Sequence, residues 1–293
     1  MRGFILTNAY PNGEKFIRQA QRIADELRGL GAEVDVLKNG EVYAYVNAKG
    51  EVGVETKKAY DFAVYLDKDK YLGRALERAG IRLFNPAAAV EICDDKLTTY
   101  FALQDKGLPL IESIPAPLCY TQGAIPDEKF LGKIATRLGF PLVVKESYGS
   151  CGIGVHLVHG IEELTEIGKK LLHRPHFYQR FLSKAAGRDI RVIVIGGKAV
   201  AAMARIAQKG EFRSNIELGG RGEKILLTPQ QQAVAEGAAK ALGLDYCGVD
   251  LLETENGVVV CEVNSNAFFD GLEAATGVNV AALYAKHILS NMT

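Results

Sequence analysis

The chain lacks the features of several common protein classes. Its 35 basic and 35 acidic residues cancel to a formal net charge of zero, which gives no support for a surface that binds nucleic acid or anionic membrane. No apolar run approaches the roughly 18 residues that span a bilayer, and the N-terminal apolar run is too short for a signal peptide. The composition therefore predicts a protein that binds neither nucleic acid nor membrane.

Cysteine pairs and several well-known motifs are also missing. The five cysteines include no C-x-x-C pair, and the five histidines have no ligand spacing to them, so a zinc site is not expected. Without a signal peptide, this pattern favours reduced thiols in a cytoplasmic protein. No G-x-G-x-x-G follows the first strand. The P-loop, the protein-kinase set and the serine-hydrolase G-x-S-x-G are absent as well.

What the chain does contain is enough apolar sequence for two domains or lobes, since 48% of its 293 residues are hydrophobic. Residues 1–85 alternate between strand and helix, which predicts a parallel βαβ lobe. The predicted strands are 3–7, 33–38, 62–66 and 81–84, the helices 13–30 and 70–79, and a polar hairpin 42–54. Asn85-Pro86 breaks this pattern and begins a linker.

The remaining residues predict two α+β subdomains, at residues 86–178 and 179–293. The first has predicted helices at 87–104, 127–138 and 162–173, and strands at 141–146 and 155–158. The second is richer in strands, with helices at its middle and end. Its predicted strands are 177–182, 189–195, 198–206, 247–253 and 258–264, and its helices 229–242 and 278–291.

A glycine-rich loop, residues 147–154, joins two predicted strands directly after Lys145. Glycines let a backbone approach a phosphate closely, and a lysine beside them neutralises phosphate oxygens. Each feature also has a simpler interpretation, an ordinary hairpin turn and a solvated strand-end lysine. Cys151 lies in the same loop, where a small residue in a tight turn is a simpler explanation than a catalytic thiol.

The last predicted hairpin carries Asp250, Glu262 and Asn264 among apolar residues. Glu262 and Asn264 are two residues apart and share one face of a strand. Asp250 joins them only if the turn sets the register, so we predict a three-residue turn, residues 255–257, that places Asp250 opposite Glu262. Two carboxylates and an amide oxygen suit Mg²⁺, although a solvated polar face is the simpler alternative.

Together these segments resemble the ATP-grasp superfamily and, within it, the RimK-like glutamate ligases, from about residue 85 to the C-terminus. The matching stretches are Asp95-Lys96-Leu97, Val143-Val144-Lys145, Gly152-Ile153-Gly154-Val155, Gly187-Arg188-Asp189-Ile190-Arg191, Phe212-Arg213-Ser214-Asn215, Gly248-Val249-Asp250 and Glu262-Val263-Asn264. The resemblance implies an α/β protein in which a parallel N-terminal lobe precedes an ATP-grasp fold, with ATP between two antiparallel sheets.

The resemblance also implies a role for each matching position. It implies ATP as substrate and two Mg²⁺ ions, with Mn²⁺ as an alternative metal. The residues implied to contact ATP are Lys96, Lys145, Gly152, Ile153, Gly154, Gln179, Arg180, Phe181, Leu182, Asp189, Arg213, Ser214 and Asn215. The implied metal ligands are Asp250, Glu262 and Asn264, the implied catalytic residues Arg205 and Lys145, and the implied substrate contacts Arg191, Asn264, Ser265 and Asn266.

The implied reaction activates a carboxylate as an acyl phosphate, which the amine of an amino acid such as glutamate then attacks. A regulatory ATP-binding module and a phosphotransferase stay open as alternatives, as do a carrier or target protein and a second copy of the chain as partners. The resemblance implies that residues 179–182, the hinge, contact adenine largely through their backbone. Two departures from the family concern the substrate and this hinge. Residues 265–271 read Ser-Asn-Ala-Phe-Phe-Asp-Gly where the ribosomal-protein ligases have Ala-Ser-Pro-Gly-Leu-Glu-Gly, and Arg180 replaces a frequent Glu.

Overall fold

A computed structural model describes residues 1–10, 13–150, 152–216 and 219–292 of the chain. Its N-terminal lobe is built on a four-stranded parallel sheet in the order β2-β1-β5-β6, beside a two-stranded hairpin. The elements are β1 (Arg2–Thr7), α1 (Glu14–Gly29), β2 (Glu33–Lys38), β3 (Tyr43–Val46), β4 (Val52–Glu55), β5 (Phe62–Tyr65), α2 (Lys70–Arg78) and β6 (Arg82–Phe84). The predicted parallel lobe is confirmed.

The middle of the chain forms an antiparallel sheet in the order β7-β10-β8-β9, with α5 and α6 packed together against it. The elements are α3 (Ala87–Asp94), α4 (Lys96–Leu103), β7 (Ser113–Pro115), α5 (Glu128–Leu138), β8 (Leu142–Glu146), β9 (Val155–Val158), α6 (Ile161–Leu171) and β10 (His176–Arg180). The three-residue strand β7 was not predicted, because so short a segment shows no alternation.

The predicted helix over residues 87–104 is wrong in one respect, because it is two helices. Asp95 separates them with a non-helical backbone, and its carboxylate accepts hydrogen bonds from the amides of Leu97 and Thr98. An Asp at this position satisfies amides that the start of a helix leaves unpaired. The break sets the start of α4, and therefore the position of Lys96 in its first turn.

The C-terminal part is a five-stranded antiparallel sheet in the order β13-β12-β11-β14-β15. The elements are β11 (Arg188–Ile195), β12 (Lys198–Ile206), β13 (Arg221–Lys224), α7 (Pro229–Leu242), β14 (Tyr246–Thr254), β15 (Gly257–Asn264), α8 (Asp270–Thr276) and α9 (Val280–Ser290). Most of β13 falls in residues 208–223, which we predicted as a loop, and the short helix α8 was not predicted. No helix in the described residues is long and apolar enough to cross a membrane.

The two faces of β11 contact different cores. Val192 and Val194 pack with α7, whereas Ile193 and Ile195 share a core with α1 and α9. Successive side chains of a strand point to opposite faces, so Asp189 and Arg191 lie on the same face as Ile193. One face of β11 therefore carries two charged residues, Asp189 and Arg191, next to the apolar core that joins the N-terminal lobe to the large sheet.

Candidate functional site

A cleft between the four-stranded antiparallel sheet and the five-stranded sheet, which we call the inter-sheet cleft, collects most of the residues that the resemblance assigned to ATP. The members of that set in its lining are Lys96, Lys145, Gly152, Ile153, Gln179, Arg180, Phe181, Leu182, Asp189, Arg213, Ser214 and Asn215. Gly154 is not among the lining residues and lies behind it, against the side chain of Glu146. Cys151 is outside the described residues.

The carboxylates at the floor of the cleft lie on adjacent strands. Asp250 of β14 stands directly opposite Glu262 of β15, as predicted, and Gly248 stands opposite Asn264. Residues opposite one another in an antiparallel pair share a face, so the three proposed ligands lie together. The Nδ2 atom of Asn264 is buried and has no hydrogen-bond partner within the described residues.

The predicted turn of this hairpin is wrong, although the pairing that it was meant to explain is right. Thr254 pairs with Gly257, so only two residues form the turn. The register instead shifts between Asp250 and Leu251, where Cys261 is one extra residue in β15. A β-bulge of this kind moves all later residues by one position. The shift that we assigned to the turn therefore occurs beside the carboxylates themselves.

Two arginines and two aspartates form a buried cluster next to this face. The guanidinium of Arg205 donates to Asp189 Oδ1 at 2.7 Å and lies 2.8 Å from Asp250 Oδ2. Arg191 also contacts Asp250, and it does so through two nitrogens. Nε donates to Oδ1, and Nη2 donates to Oδ2 at 2.8 Å. Burial by itself raises the pKa of Asp250, but the two guanidinium groups outweigh it and lower that pKa.

The two lysines reach neighbouring residues of β15. Lys96 Nζ donates to the carbonyl of Gly149 at 2.6 Å and lies 3.8 Å from Glu262 Oε1. Lys145 Nζ lies 3.7 Å from the sulfur of Cys261. Lys96 is 7% exposed, although it is a lysine. A cation this deeply buried beside a carboxylate indicates a site for anions rather than a solvated surface side chain.

A polar link joins the glycine-rich turn to the connection between β12 and β13. Arg213 Nη1 donates to the carbonyl of Gly152 at 3.0 Å, while its other nitrogens bond to Glu211. Those hydrogen bonds lower the pKa of Glu211 to about 2. Gly152 has a φ of 74°, a conformation that a residue with a side chain rarely adopts. The turn therefore sits over the cleft in a defined position.

The predicted strand over residues 177–182, which ends in the hinge, is wrong at its C-terminal end. Strand β10 ends at Arg180, so Phe181 and Leu182 lie beyond its ladder, and all three line the cleft. The side chain of Gln179 points to Tyr100 and Ser113, with its amide nitrogen 3.1 Å and 2.8 Å from their oxygens. The Gln179 side chain is thus engaged by α4 and β7. The adenine contact of the hinge backbone, which the resemblance implies, stays a prediction.

A second cleft, the lobe cleft, lies between the N-terminal lobe and the large sheet. It is lined by the four predicted substrate contacts, Arg191, Asn264, Ser265 and Asn266. It also contains Lys15, Phe16, Lys68 and Phe268, which we did not predict. The first three come from the N-terminal lobe, where composition and periodicity carried no motif. Lys68 follows β5, and Lys15 and Phe16 lie in the first turn of α1, which follows β1. Their only signal was that segments after parallel strands commonly face a site.

Comparisons with known proteins agree with this geometry. The model of the RimK-like ATP-grasp domain matches residues 100–288. The chain is 35% identical over 282 residues to a probable alpha-L-glutamate ligase of Thioalkalivibrio sulfidiphilus (strain HL-EbGR7), an alignment covering 92% of this chain and 91% of that protein. It is 34% identical over 230 residues to N-acetylaspartylglutamate synthase A of Homo sapiens, covering 78% of this chain and 57% of that protein.

Solved structures support the same fold. The ATP-grasp ligase PsnB, complexed with a precursor variant, Mg and ADP, superposes with a TM-score of 0.70 at 18% identity, covering 99% of this chain and 98% of that chain. A D-alanine–D-alanine ligase from Bacillus anthracis complexed with ATP gives 0.73 at 20% identity, covering 100% and 97%. The expected fold class is confirmed. The chain therefore belongs to the RimK-like ATP-grasp family of carboxylate–amine ligases.

Proposed function

We propose that this enzyme joins the amine of glutamate, or of a closely related amino acid, to an acid that it first activates as an acyl phosphate. The observation that carries the proposal is that Arg205, Asn215 and Glu262 line both clefts. The terminal phosphate of a nucleotide in the inter-sheet cleft would meet a carboxylate from the lobe cleft at these residues. The choice of glutamate rests on the names of the similar proteins.

We assign the nucleotide to the inter-sheet cleft, with adenine at residues 179–182 and its phosphates at Lys96 and Lys145. Ile153 and the glycine turn cover the phosphates, and Asp189 binds the ribose hydroxyls. A carboxylate has about four lone-pair sites, so Asp189 has acceptor capacity beyond its two contacts with Arg205. Arg213, Ser214 and Asn215 contact the phosphate that is transferred.

The floor of the cleft fits magnesium. Asp250 and Glu262 supply carboxylate oxygens, and the Asn264 amide supplies an oxygen on the same face, which is the donor set that Mg²⁺ prefers. The unpartnered Nδ2 of Asn264 is consistent with an amide whose orientation is set by a ligand on its oxygen. We propose two Mg²⁺ ions here, replaceable by Mn²⁺. They would neutralise charge on the phosphates.

The residues then divide the reaction between them. A substrate carboxylate oxygen attacks the γ-phosphorus of ATP, and ADP leaves. The amine attacks the resulting acyl carbon, the phosphate leaves, and the amine loses a proton. Arg205 would stabilise the oxyanion formed at that carbon, because it lies where the clefts meet and burial strengthens its charge interactions. Lys145 would hold the phosphate in line for transfer.

The acid would lie in the lobe cleft against Arg191, Asn264, Ser265 and Asn266. The departure of residues 265–271 from the ribosomal-protein ligases makes this the part of the enzyme that selects the acid. We propose three functional units in the chain. Residues 1–85 contribute one wall of the lobe cleft, residues 86–178 hold the phosphates and residues 179–293 carry the metal face.

The test is ADP release from Mg²⁺-ATP with a panel of acids, each with and without glutamate, followed by hydroxylamine trapping. We expect one acid to stimulate ADP release, and hydroxylamine to convert its acyl phosphate to a hydroxamate. Glu262→Gln should reduce ADP release by about 100-fold, because a metal ligand loses its charge. Glu255→Gln is the matched control in the exposed turn of the same hairpin, and it should keep the wild-type rate.

Two outcomes would contradict the proposal. ADP release with no acid dependence, and no hydroxamate from any acid, would exclude acyl-phosphate formation. A stable phosphorylated product that resists both hydroxylamine and amines would point to a phosphotransferase instead.

A further inference from the structure

The pairing register between β15 and β14 shifts by one residue in the middle of the candidate metal face, beside Glu262. Leu251 pairs with Val260, whereas Asp250 pairs with Glu262, so Cys261 has no partner of its own on β14. With the turn fixed at two residues, a regular ladder would have put Cys261 opposite Asp250. The bulge therefore decides which residue of β15 stands beside Asp250.

The pattern of buried side chains along β15 shows the same register shift. Val258 and Val260 are buried on the core face before the bulge, and Val263 is buried after it. The buried positions thus pass from even to odd numbers, which a regular strand does not permit. Cys261 and Glu262 both line the inter-sheet cleft. Whatever fixes the bulge also fixes the direction of the Glu262 carboxylate.

The phenol of Tyr100 is bonded to this bulge. Its hydroxyl lies 2.9 Å from the carbonyl oxygen of Val260 and 3.2 Å from that of Cys261. Tyr100 is 7% exposed, so these carbonyls cannot exchange its hydroxyl freely for water. Because a hydroxyl has one proton, the two carbonyls share it. One buried donor therefore spans the extra residue, where a regular ladder would have had separate partners.

The Tyr100 hydroxyl also accepts a hydrogen bond, from the side chain of Gln179. Gln179 is 2% exposed and donates through Nε2 to the Tyr100 oxygen at 3.1 Å. The same nitrogen donates to Ser113 Oγ at 2.8 Å. A hydroxyl that accepts a hydrogen bond becomes a stronger donor. The hinge side chain that does not face adenine thus strengthens the bond to the bulge.

The helix that carries Tyr100 also reaches the Glu262 side chain. Lys96 and Tyr100 are four residues apart on α4 and share one face of it. Lys96 Nζ lies 3.8 Å from Glu262 Oε1, while Tyr100 holds the two carbonyls just before that residue. One face of α4 therefore contacts both the Glu262 carboxylate and the backbone carbonyls of the two residues before it.

We propose that Tyr100 is a positioning residue for the metal: its hydroxyl, supported by Gln179, fixes the bulge at Cys261 and so holds Glu262 beside Asp250. The inference rests on the proposed role of Glu262 as a magnesium ligand. Tyr100 itself does not contact the metal or the nucleotide. Its removal should affect the part of nucleotide binding that depends on Mg²⁺ and leave the rest unchanged.

The experiment is calorimetric titration of ADP into wild type and Tyr100→Phe, at the lowest Mg²⁺ concentration that gives wild type its full affinity and again in EDTA. This needs neither the acid nor the amine. We expect Tyr100→Phe to weaken ADP binding by about tenfold in Mg²⁺, the typical effect of losing a group that orients a metal ligand, and by less than about twofold in EDTA. Excess Mg²⁺ at increasing concentration should restore the affinity.

Tyr60→Phe is the matched control. It removes another partly buried phenol hydroxyl, which donates to Asp35 at 2.8 Å in the N-terminal lobe. It should leave both affinities unchanged. The inference is overturned if folded Tyr100→Phe binds ADP as wild type does in Mg²⁺, or if the loss is equal in EDTA, or if Tyr60→Phe has the same effect. Wild type that binds ADP without any Mg²⁺ dependence would instead contradict the proposed function.

Gln179→Met provides a second variant should Tyr100→Phe not fold. It removes the donor to the Tyr100 oxygen and keeps a side chain of similar length. Gln179 also lies in the proposed adenine site, so its affinity in EDTA is the baseline for this variant. Because the phenol is then a weaker donor, we expect the gain in affinity from EDTA to Mg²⁺ to be about threefold smaller than in wild type. An unchanged gain would overturn the inference by this second route.

Discussion

Arg205 is the residue at which the two halves of the site meet. Its guanidinium lies between Asp189 and Asp250, is almost wholly buried, and borders both clefts. Burial opposes its charge, but the two carboxylates outweigh that effect and raise the pKa of Arg205. A buried charge in such a network is held at a defined point. That is the condition for stabilising charge that develops during a reaction.

His176 permits a test of pH dependence at the start of the hinge strand. Burial lowers the pKa of His176 below its ordinary value. The folded protein therefore binds fewer protons than the unfolded chain between the lowered pKa and about pH 6.5. Stability should be complete above that pH and fall as the pH decreases below it. Urea midpoints measured from about pH 7.5 to about pH 5.5 should show this decline.

His176→Gln removes the titrating ring and keeps a polar side chain. Its urea midpoint should vary less over the same range, because the unfolded chain no longer gains that proton. The exposed His159 offers the comparison, and His159→Gln should keep the wild-type slope. Equal slopes for wild type and His176→Gln would contradict the assignment.

At this scale, motifs identified the residues but not their partners. The sequence named Arg205, Asp189 and Asp250 separately, whereas their mutual ion pairs depend on the register of three strands. Tyr100 was not predicted at all. Its partners are backbone carbonyls 160 and 161 positions away, and a backbone carbonyl leaves no mark on a sequence. Only its spacing of four from Lys96 could have suggested it.

Among the elements, the β8–β9 turn depends most on a single residue type. Gly154 has a φ of 72°, and a Cβ there would lie 3.0 Å from Glu146 Cγ. Gly154→Ala should cost about 1–2 kcal/mol of folding free energy and raise the KM for ATP, because the turn that covers the cleft is displaced. Chemical unfolding and steady-state kinetics measure the two effects.

Gly132 in α5 is the matched control for that change. A Cβ added there meets nothing within 4 Å, and the residue lies inside a helix. Gly132→Ala should therefore stabilise the protein by about 0.5–1 kcal/mol and leave the KM unchanged. A KM that rises equally in both variants would mean that the turn has no special role.

The hairpin β14–β15 separates what a pattern determines from what it does not. Its apolar alternation and Asn256-Gly257 predicted a hairpin, and the pairing of Asp250 with Glu262 is confirmed. Two turns, one of three residues and one of two with a bulge, give the same pairing beyond the irregularity. Local sequence did not distinguish them, because Tyr100 and the segment around Pro109 stabilise the bulge from outside the hairpin.

On the scale of the molecule, α1 connects the N-terminal lobe to the loop that follows the candidate metal ligands on β15. Gln19 donates to the carbonyl of Ala267 at 3.0 Å, and the rings of Phe16 and Phe268 lie edge to face, 4.7 Å between centroids. Arg22 Nη1 lies 2.8 Å from Glu273 Oε2. The lobe with no recognisable motif thereby supports the segment assigned to the acid.

The shared core predicts that both parts of this connection unfold together. Phe269 is 1% exposed and packs in the core that α1 and α9 share. Phe269→Ala should lower the free energy of unfolding by about 3–5 kcal/mol and retain a single urea transition. The chain has no tryptophan, so tyrosine fluorescence and far-ultraviolet circular dichroism are the probes.

Val46→Ala tests whether that loss is specific to the core. Val46 is 70% exposed on the β3–β4 hairpin, and its replacement should change the free energy of unfolding by less than about 0.5 kcal/mol. Two separate transitions in wild type would show that the lobe and the large sheet fold independently.

Apolar periodicity and short motifs were enough to predict the order of the main helices and strands, the ligase family and the residue types of the candidate site. Both signals are local along the chain. Packing of the sheets and helices set the bulge at Cys261, the Arg191 and Arg205 ion pairs with Asp250, and the contact of α1 with residues 267–273. Each of these contacts joins groups that are distant in sequence. It therefore forms, and contributes to stability, only once the sheets and helices have packed together.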